Sequence, residues 1–400
     1  MKCGLLGQKL GHSFSPRIHK DMGDYAYALY EKEPQELEMF LRSGDFHGLN
    51  VTIPYKKAVI SHLDALSPVA ARLGAVNTIV RRDGMLLGHN TDYFGFHSLV
   101  SHFGIDPAGK KCLVLGSGGA SAVVVAVMQE LGAEAVVISR SGQNHYGNLE
   151  RHRDAAILVN TTPVGMYPNN GQTPVDLGAF PNLQGVIDLI YNPARTQLLL
   201  DAQASGIPCC NGLWMLVAQA KEAAEWFTGA TMDDAVIAQI HASLCREMEN
   251  IVLIGMPGCG KTTIGKQLAQ RLGKEFADSD ALVEELAQKS IPRIFAEDGE
   301  AVFRDWETQA LDILGKRTGL VIATGGGCVT MARNEPLLRQ NGRILWLQQD
   351  LEKLATAGRP LSQSQDLRHM YETRAPLYTK FADEIISPGC FPTEQKEELA

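Results

Sequence analysis

Short apolar runs alternate with amphipathic segments along most of the chain, and this alternation is typical of α/β proteins. Over residues 2–83 the runs CGLL, YAYALY and GLNVTI predict strands, and segments 16–22 and 36–41 predict helices. Two long helical patterns at 213–227 and 232–248 are expected to pack back on this first layer. The sequence therefore predicts a sheet-containing domain that is completed by helices from much later in the chain.

A second pattern, KCLVLGSGGASAVVVAVMQELGAEAVVISR, reads as a buried strand, a glycine turn, a helix and another buried strand. This is the βαβ order of a dinucleotide-binding unit. Further strands are predicted at 157–160 and 185–189. Only about twenty residues separate Arg140 from Asn160, which is too few for another full helix and strand. We expect a Rossmann domain with one trimmed edge.

A third strand, turn and helix begins at residue 251 with IVLIGMPGCGKTTI. Gly255, Gly260, Lys261 and Thr262 match the P-loop pattern G-x-x-x-x-G-K-[ST] directly after an apolar strand. The glycines let successive backbone N–H groups face one phosphate, and the following helix presents its N-terminus to the same charge. A glycine turn without ligand would not need the lysine and threonine. We expect a nucleotide site here, formed by Gly258, Cys259, Gly260, Lys261, Thr262 and Thr263.

The amino-acid composition indicates which classes of binding partner and which cellular compartment are expected. The chain has 400 residues with 45% hydrophobic content, enough for two or three domains. A net charge of -8 and the lack of Lys/Arg-rich runs disfavour nucleic acid and favour small anionic metabolites. Eight scattered cysteines without C-x-x-C pairs indicate a reducing, cytoplasmic setting. No signal peptide and no membrane-spanning run are predicted.

Candidate chemistry in the first segment consists of a lysine, an acid and several small polar side chains. Lys56 lies at the start of a predicted helix, where a cation opposes the helix dipole and is better explained by a nearby acid, for which Asp92 is the candidate. Asp92 could instead cap the next helix. Ser15, which precedes Pro16, has the N-cap arrangement and is as well explained by structure as by function.

The residues at the end of the second Rossmann strand indicate whether the site prefers NAD or NADP. An NAD site usually carries Asp or Glu at this place for the ribose hydroxyl. This chain has Ser139, Arg140 and Ser141 instead, which offer a guanidinium and hydroxyls to a 2′-phosphate. NADP is therefore the expected cofactor, although Ser121 replaces the third fingerprint glycine after Gly116 and Gly118.

Beyond the P-loop, the segment FADSDALVEEL places Asp278 and Asp280 at alternate positions at a strand end. Alternation would point both carboxylates the same way, toward Mg²⁺ and a hydroxyl nucleophile, although Asp280 could instead cap the next helix. Arg304 and Glu307 lie three apart on a predicted helix, a spacing that is usually a surface ion pair. A triple glycine at 325–327 and a polar segment of lid character, which contains Arg359 and Arg374, complete the set.

The motifs of the first part resemble the shikimate dehydrogenases. GHSFSPRIH, GLNVTIPYK, GAVNT, GHNTD, GSGGAS, NTTPVGM, DLIYNPARTQLL and NGLWMLVAQA occur in this order over residues 1–227. The resemblance implies NADPH-linked reduction of 3-dehydroshikimate to shikimate, with Lys56 and Asp92 as the catalytic pair. It assigns substrate binding to Ser13, Ser15, Thr52, Asn77, Tyr191 and Gln219. It assigns NADP binding to Gly116, Gly118, Gly119, Ala120, Ser139, Arg140, Ser141 and Gly212.

The motifs after residue 250 resemble shikimate kinase. The resemblance assigns Lys261 to the phosphates of ATP, Thr262 and Asp278 to Mg²⁺, and Asp280 to the attacking hydroxyl. It places Arg304, Arg374, Gly326 and Gly327 at shikimate and Arg359 in the lid. Two departures stand out: the segment around Arg359 is several residues short, and it lacks the arginine that usually stacks on adenine. We therefore expect loose ATP binding.

These observations predict a bifunctional α/β enzyme of the shikimate pathway. Its expected domains are a substrate domain at 1–92 completed by helices about 213–246, a Rossmann NADP domain at 93–212, and a P-loop kinase domain at 250–400. Three alternatives remain open: a dehydrogenase with a degenerate, regulatory kinase-like half, an NAD-linked dehydrogenase of shikimate or quinate that runs oxidatively, and a pair of metabolite sensors. The oligomeric state is not predicted by the sequence.

Overall fold

A computed structural model describes residues 1–11, 13–354 and 367–387 of the chain. These residues form two compact units. Unit 1 comprises Met1–Val164, Thr173–Tyr191 and Asp201–Ser243, and unit 2 comprises Gly165–Gln172, Asn192–Leu200 and the chain from Leu244 onward. Two short segments of the first half thus belong to the second unit. None of the described helices is both long and apolar enough to cross a membrane.

The first sheet is mixed and six-stranded, with the order β2-β1-β3-β5-β6-β4. Its strands are β1 (Lys2–Gly7), β2 (Ala26–Glu31), β3 (Gly48–Val51), β4 (Ala65–Leu66), β5 (Thr78–Arg82) and β6 (Met85–His89). The helices between and after them are α1 (Ser15–Lys20), α2 (Leu37–Ser43), α3 (Tyr55–Ala58), α4 (Pro68–Leu73) and α5 (Asp92–His102). β1 pairs in parallel with β2 and β3, whereas β5 runs antiparallel to β3 and β6.

The second sheet is parallel and five-stranded, with the order β11-β10-β9-β7-β8. Its strands are β7 (Lys111–Leu115), β8 (Glu134–Ile138), β9 (Ile157–Asn160), β10 (Gly185–Asp188) and β11 (Cys209–Asn211). Its helices are α6 (Gly119–Glu130) and α7 (Gln197–Ala204). Strand order reverses at β7, so the ends of β7 and β9 form the crevice where such sheets bind ligands. A 3₁₀ helix at Tyr146–His152 stands in place of a full helix and strand, as the short spacing predicted.

Two long helices and a third sheet follow. The helices are α8 (Leu213–Thr228) and α9 (Ala235–Met248), and only Glu249 separates α9 from β12 (Asn250–Ile254). The third sheet is parallel with the order β13-β14-β12-β15-β16. Its other strands are β13 (Glu275–Asp278), β14 (Leu320–Ala323), β15 (Gly342–Leu347) and β16 (Glu384–Ile386). Its helices are α10 (Lys261–Leu272), α11 (Ser279–Ala287), α12 (Ile291–Glu297), α13 (Gly299–Lys316), α14 (Asn334–Arg339) and α15 (Leu367–Phe381).

The core of unit 2 explains the position of its nucleotide loop. β12 is buried along its whole length, and both of its edges are paired, one with β14 and the other with β15. The strand passes directly into the glycine loop, and α10 ends where Gly273 adopts the left-handed conformation at φ 65°. Because β12 is the central strand of this unit, the loop at its carboxyl end has a fixed position.

Candidate active sites

The proposed catalytic pair of unit 1 is an ion pair between two helix starts. Lys56 lies in the first turn of α3, and Asp92 is the first residue of α5. The Lys56 Nζ atom lies 2.6 Å from Asp92 Oδ2. The Lys56 side chain is 30% exposed and that of Asp92 14% exposed, so the pair is partly shielded but reachable by a ligand. A lysine held in this way can pass a proton to a substrate oxygen.

A buried hydrogen-bond network fixes the backbone beside Asp92. Asn77 Nδ2 donates to Thr91 Oγ1 at 3.0 Å, and the Thr91 N–H donates to Asn77 Oδ1 at 2.7 Å. The Thr91 hydroxyl also lies 3.4 Å from Gln219 Oε1. Asn77 and Gln219, both predicted at the substrate, thus meet at one residue. Thr91 is fully buried and was missed by sequence reasoning, although it lies inside the quoted motif GHNTD.

Local contacts place the other predicted substrate residues. Ser13 Oγ accepts the Ser15 N–H at 3.2 Å. Ser15 is the first residue of α1 and Phe14 holds the N-cap position, so the structural alternative in which Ser15 caps this helix is wrong. The Tyr191 ring lies edge-on to Phe14 with centroids 6.0 Å apart, and burial raises the pKa of its hydroxyl. Thr52 follows β3 and its N–H donates to the Leu6 carbonyl at 2.9 Å.

A cavity of 670 Å³ occupies the crevice of the second sheet. It is lined by Gly116, Ser117, Gly118, Ser139, Arg140, Tyr146, Thr161, Thr162, Pro163, Val164, Thr173 and Pro174. Gly116 has a φ of 105°, and a Cβ there would lie 2.8 Å from Thr161 Oγ1. The turn requires this glycine, and α6 begins three residues later with Gly119 and Ala120. The cavity lies at the crevice where open parallel sheets bind dinucleotides.

Among the described residues that line this cavity, Arg140 is the one with a cationic side chain. The Ser139 hydroxyl donates a hydrogen bond to the Ser141 carbonyl of the same loop, so in this arrangement it can only accept from a ligand. Tyr146, on the short 3₁₀ helix, lines the same cavity; sequence reasoning noted the shortened segment but not this side chain. Gly212 precedes α8, and a Cβ there would lie 2.1 Å from the Leu189 carbonyl oxygen, so close packing alone accounts for this glycine.

The second site is a cavity of 470 Å³ in unit 2. Its lining includes most of the predicted kinase residues: Gly258, Gly260, Lys261, Thr262, Thr263, Asp278, Asp280, Arg304, Gly326, Gly327 and Arg374. Sequence reasoning did not select Pro257, Glu284, Phe295, Phe303 and Thr324, which also line it. Glycines at 255, 258 and 260 all have positive φ, as a backbone phosphate cradle requires.

Lys261 is folded back on its own loop. Its Nζ donates to the Gly255 carbonyl at 2.8 Å and to the Met256 carbonyl at 3.0 Å, and Cys259 Sγ lies 3.8 Å away. Lys261 must turn outward to reach a bound phosphate. The Cys259 side chain is buried beneath the loop, so this residue can offer a ligand only its backbone.

Asp278 and Asp280 both line the cavity, but they do not lie on one strand as predicted. Asp278 ends β13, but Asp280 lies in the first turn of α11, so strand alternation does not align them. Asp278 caps α11 by accepting the Asp280 N–H at 3.0 Å, and its other oxygen accepts from Thr262 Oγ1 at 2.8 Å. Burial, and then the charges of Asp278 and Glu307, raise the pKa of Asp280 to about 6. The pKa of the Asp280 carboxyl group is thus closer to neutral pH than that of an ordinary aspartate.

Arg304 and Glu307 form a buried pair rather than the surface pair that their spacing suggested. Arg304 Nη1 donates to Glu307 Oε2 at 2.9 Å, and Nη2 donates to Glu300 at 2.9 Å. Glu307 Oε1 and Asp280 Oδ1 are buried and have no hydrogen-bond partner among the described residues. A Cβ on Gly325 would lie 2.6 Å and 2.7 Å from these two oxygens. Both carboxylates therefore converge on Gly325 at the cavity wall.

Arg374 belongs to a helix, contrary to its predicted place in a polar lid. It lies buried in α15, and its Nη1 donates to the Gly326 carbonyl at 3.2 Å. Gly327 packs closely against Arg304, since a Cβ at residue 327 would lie 2.3 Å from the Arg304 guanidinium. The two arginines and the glycine backbone form one wall. Arg359, the predicted lid residue, lies outside the described residues.

Oxygen donors of Thr262 and Asp278 suit Mg²⁺, which prefers few protein ligands and keeps water or phosphate oxygens. Within residues 1–11, 13–354 and 367–387, no three His, Cys, Asp or Glu side chains are grouped to hold a metal by themselves. A magnesium ion at this place would therefore depend on nucleotide and water oxygens as well.

Two family models match the chain. The model described as shikimate dehydrogenase substrate binding domain matches residues 5–79, and the model described as shikimate kinase matches residues 257–397. The first range contains Lys56 but ends before Asp92, and the second range contains the whole lining of the cavity around Lys261.

Individual relatives align with the first part of the chain. A shikimate dehydrogenase (NADP(+)) of Clostridium perfringens is 36% identical over 61% of this chain and 98% of that protein. Shikimate dehydrogenase 1 of Peptoclostridium difficile has a TM-score of 0.56 with 38% identity over 61% of this chain and 97% of its own. The shikimate 5-dehydrogenase of Thermus thermophilus, solved with NADP(H) and shikimate, has a TM-score of 0.55 with 33% identity over 61% and 99%.

Proposed function

The chain belongs to the shikimate dehydrogenase family, and on that premise we propose that it reduces 3-dehydroshikimate to shikimate and then phosphorylates the product. The observation that carries the first activity is the 2.6 Å contact between Lys56 and Asp92 in a partly shielded site. The second activity is carried by the cavity where a P-loop meets two carboxylates and two arginines.

In the first reaction NADPH supplies the hydride to the substrate carbonyl. Lys56 donates a proton to the oxygen on which negative charge develops, and Asp92 keeps the ammonium group oriented. The hydroxyls and amides of the same site bind the substrate carboxylate and hydroxyls; the proposed set is Ser13, Ser15, Thr52, Asn77, Tyr191 and Gln219. The buried contacts among Asn77, Thr91 and Gln219 support a preorganised site.

Arg140 is proposed to select NADPH by binding the 2′-phosphate. We expect Arg140→Ala to lower the NADPH-to-NADH ratio of kcat/KM by about tenfold to a hundredfold, because a charge-assisted contact is lost only with the phosphorylated cofactor. Steady-state rates with each cofactor measure this ratio. Arg151→Ala is the matched control, since Arg151 is exposed on the neighbouring 3₁₀ helix. An unchanged ratio in Arg140→Ala would assign the selectivity to other residues.

In the second reaction the P-loop amides and Lys261 hold the ATP phosphates. Mg²⁺, held by Thr262 and in part by Asp278, would neutralise phosphate charge. Asp280 orients the attacking hydroxyl of shikimate and accepts its proton, which suits a carboxyl group whose pKa is about 6. Arg304 and Arg374 bind the carboxylate against the backbone of Gly326 and Gly327, and Arg359 is proposed to approach with the lid.

Removal of Lys261 tests the kinase proposal separately from the dehydrogenase. We expect Lys261→Ala to reduce shikimate-dependent ADP release by at least about a hundredfold, since a preorganised cation at the phosphates is lost. NADPH oxidation with 3-dehydroshikimate should continue in the same preparation. Lys266→Ala, an exposed lysine on the same helix, is the control. A wild-type chain without shikimate-dependent ADP release would instead favour a degenerate, regulatory kinase-like half.

A further inference from the structure

The loop that follows β8 in unit 1 folds back on itself. The Ser139 N–H donates to the Asn144 carbonyl at 3.2 Å, and Ser139 pairs with His145 in an isolated parallel bridge. Arg140 lies near the start of this loop, and Tyr146 directly follows its end. The bridge therefore brings Arg140 and Tyr146 to the same end of β8.

A buried asparagine fixes the second half of the loop. Asn148 is 7% exposed, its Oδ1 accepts the His145 N–H at 2.9 Å, and its Nδ2 donates to the Gln143 carbonyl at 2.9 Å. His145 Nδ1 also accepts the Gly147 N–H at 3.1 Å. The backbone on both sides of Tyr146 is thus held by hydrogen bonds within the protein, so a ligand need not order it on binding.

The Tyr146 side chain belongs to the wall of the cofactor cavity. It lines the 670 Å³ cavity together with Arg140 and is half-buried. Burial raises the pKa of the Tyr146 hydroxyl, and the positive charge of Arg140 acts in the opposite direction. The phenol therefore lies within electrostatic range of the guanidinium, and a ligand that reaches Arg140 also passes the aromatic ring.

The end of β8 is the adenosine end of a dinucleotide site. In a βαβ unit the pyrophosphate lies at the first glycine turn, and the 2′ position of the adenine ribose is bound at the end of the second strand. Here Gly116 of the glycine turn and Arg140 at the end of β8 line one cavity. Because Tyr146 lies beside Arg140, it is placed at the adenosine half of the ligand rather than at the nicotinamide half.

We infer that the Tyr146 ring binds the adenine base of the dinucleotide, as a flat contact surface beside the guanidinium that binds the 2′-phosphate. This inference rests on the proposed NADPH-dependent function. An aromatic ring and a purine base attract each other by stacking, and this attraction does not require a phosphate on the ribose. The two side chains therefore have separate tasks: Tyr146 binds the base of either cofactor, and Arg140 binds the phosphate of NADP(H) alone.

The test is calorimetric titration of the full chain with three ligands. These are NADPH, NADH and adenosine 2′,5′-bisphosphate, which contains the adenosine half without nicotinamide. We expect Tyr146→Ala to raise the Kd of all three ligands by about tenfold, the usual loss for one base–aromatic stack. The ratio of the NADPH and NADH Kd values should stay within about twofold of wild type, whereas Arg140→Ala changes this ratio.

Two further variants separate the ring from the hydroxyl and from the side-chain volume. Tyr146→Phe keeps the ring and removes the hydroxyl, so its Kd values should stay within about twofold of wild type. Tyr146→Leu keeps much of the apolar volume but removes the ring, so it should raise the Kd values in the same direction as Tyr146→Ala. Tyr146→Leu alone decides if Tyr146→Ala does not fold.

Tyr30→Ala is the matched control, because Tyr30 is another half-buried tyrosine of unit 1. Its ring packs against Phe40, with centroids 5.1 Å apart, and it does not line the cofactor cavity. Its Kd values for the three ligands should stay within about twofold of wild type even where its thermal stability falls.

Four outcomes would overturn the inference. Kd values that are unchanged in both Tyr146→Ala and Tyr146→Leu overturn it and leave the proposed NADPH site in place. A loss that Tyr146→Phe repeats, or that is confined to the 2′-phosphorylated ligands, overturns it because the hydroxyl would then act on the phosphate. An equal loss in Tyr30→Ala would show general destabilisation. A wild-type chain that binds neither NADPH nor the bisphosphate overturns the proposed function, and the inference with it.

Discussion

Lys56→Ala is expected to lower kcat for 3-dehydroshikimate reduction by about a hundredfold to ten-thousandfold, the usual contribution of a positioned general acid. Shikimate binding should remain largely in place, because the other contacts of the substrate come from neutral hydroxyls and amides. The measurements are the rate of NADPH oxidation at saturating substrate and the shikimate Kd from direct titration. The expected result is a large loss in kcat with little change in Kd.

Lys57→Ala is the control for this experiment. Lys57 is the next residue of α3 and is exposed, so its removal changes the local charge by the same amount without touching Asp92. A Lys56→Ala variant with normal turnover would contradict the assignment. A variant that lost shikimate binding instead of turnover would make Lys56 a binding residue.

Asp280→Asn is expected to lower the kinase kcat by about a hundredfold or more while making the protein more stable at neutral pH. Among the described residues Asp280 Oδ1 is buried and has no hydrogen-bond partner, and the negative charges of Asp278 and Glu307 oppose its ionisation. Its folded pKa of about 6 exceeds the ordinary 3.8, so the folded state favours the neutral acid. The stability gained from protonation is present at low pH and is lost as pH rises through 6.

Thermal unfolding of wild type and Asp280→Asn across pH measures this effect. The variant should be more stable by about 1–3 kcal/mol above pH 6.5, with the difference shrinking toward pH 4. Glu285→Gln, an exposed carboxylate on the same helix, should show no such pattern. Greater stability of wild type at pH 7.5 would mean that the charged form of Asp280 is favoured in the fold, which contradicts the assigned environment.

Periodicity and glycine chemistry were sufficient to predict much of the fold. The βαβ unit, the strand at Ile157–Asn160 and the stop of α10 at Gly273 depend on local sequence, and the structure has them where the pattern placed them. The trimmed edge was predicted by length alone. Local rules succeed here because turns, caps and buried strands are determined by residues close in the chain.

The wrong predictions concern side chains whose burial and contacts depend on residues that are distant in the sequence. Alternation placed Asp280 on a strand, but the helix begins at Ser279 because Asp278 caps it. Helix α11 and the glycine backbone at 325–327 bury Arg304 and Glu307. The spacing of two residues along one helix cannot predict this burial. Thr91 and Tyr146 were missed because their partners, Asn77 and the cofactor cavity, are remote in sequence.

The most direct test of the bifunctional account is one preparation of the full chain assayed for two reactions. The first assay follows NADPH oxidation with 3-dehydroshikimate, and the second follows ADP release with ATP, Mg²⁺ and shikimate. The account predicts both activities, with only the second lost in Lys261→Ala. Dehydrogenase activity without shikimate-dependent ADP release would contradict the proposed kinase, and the absence of both would favour a sensor.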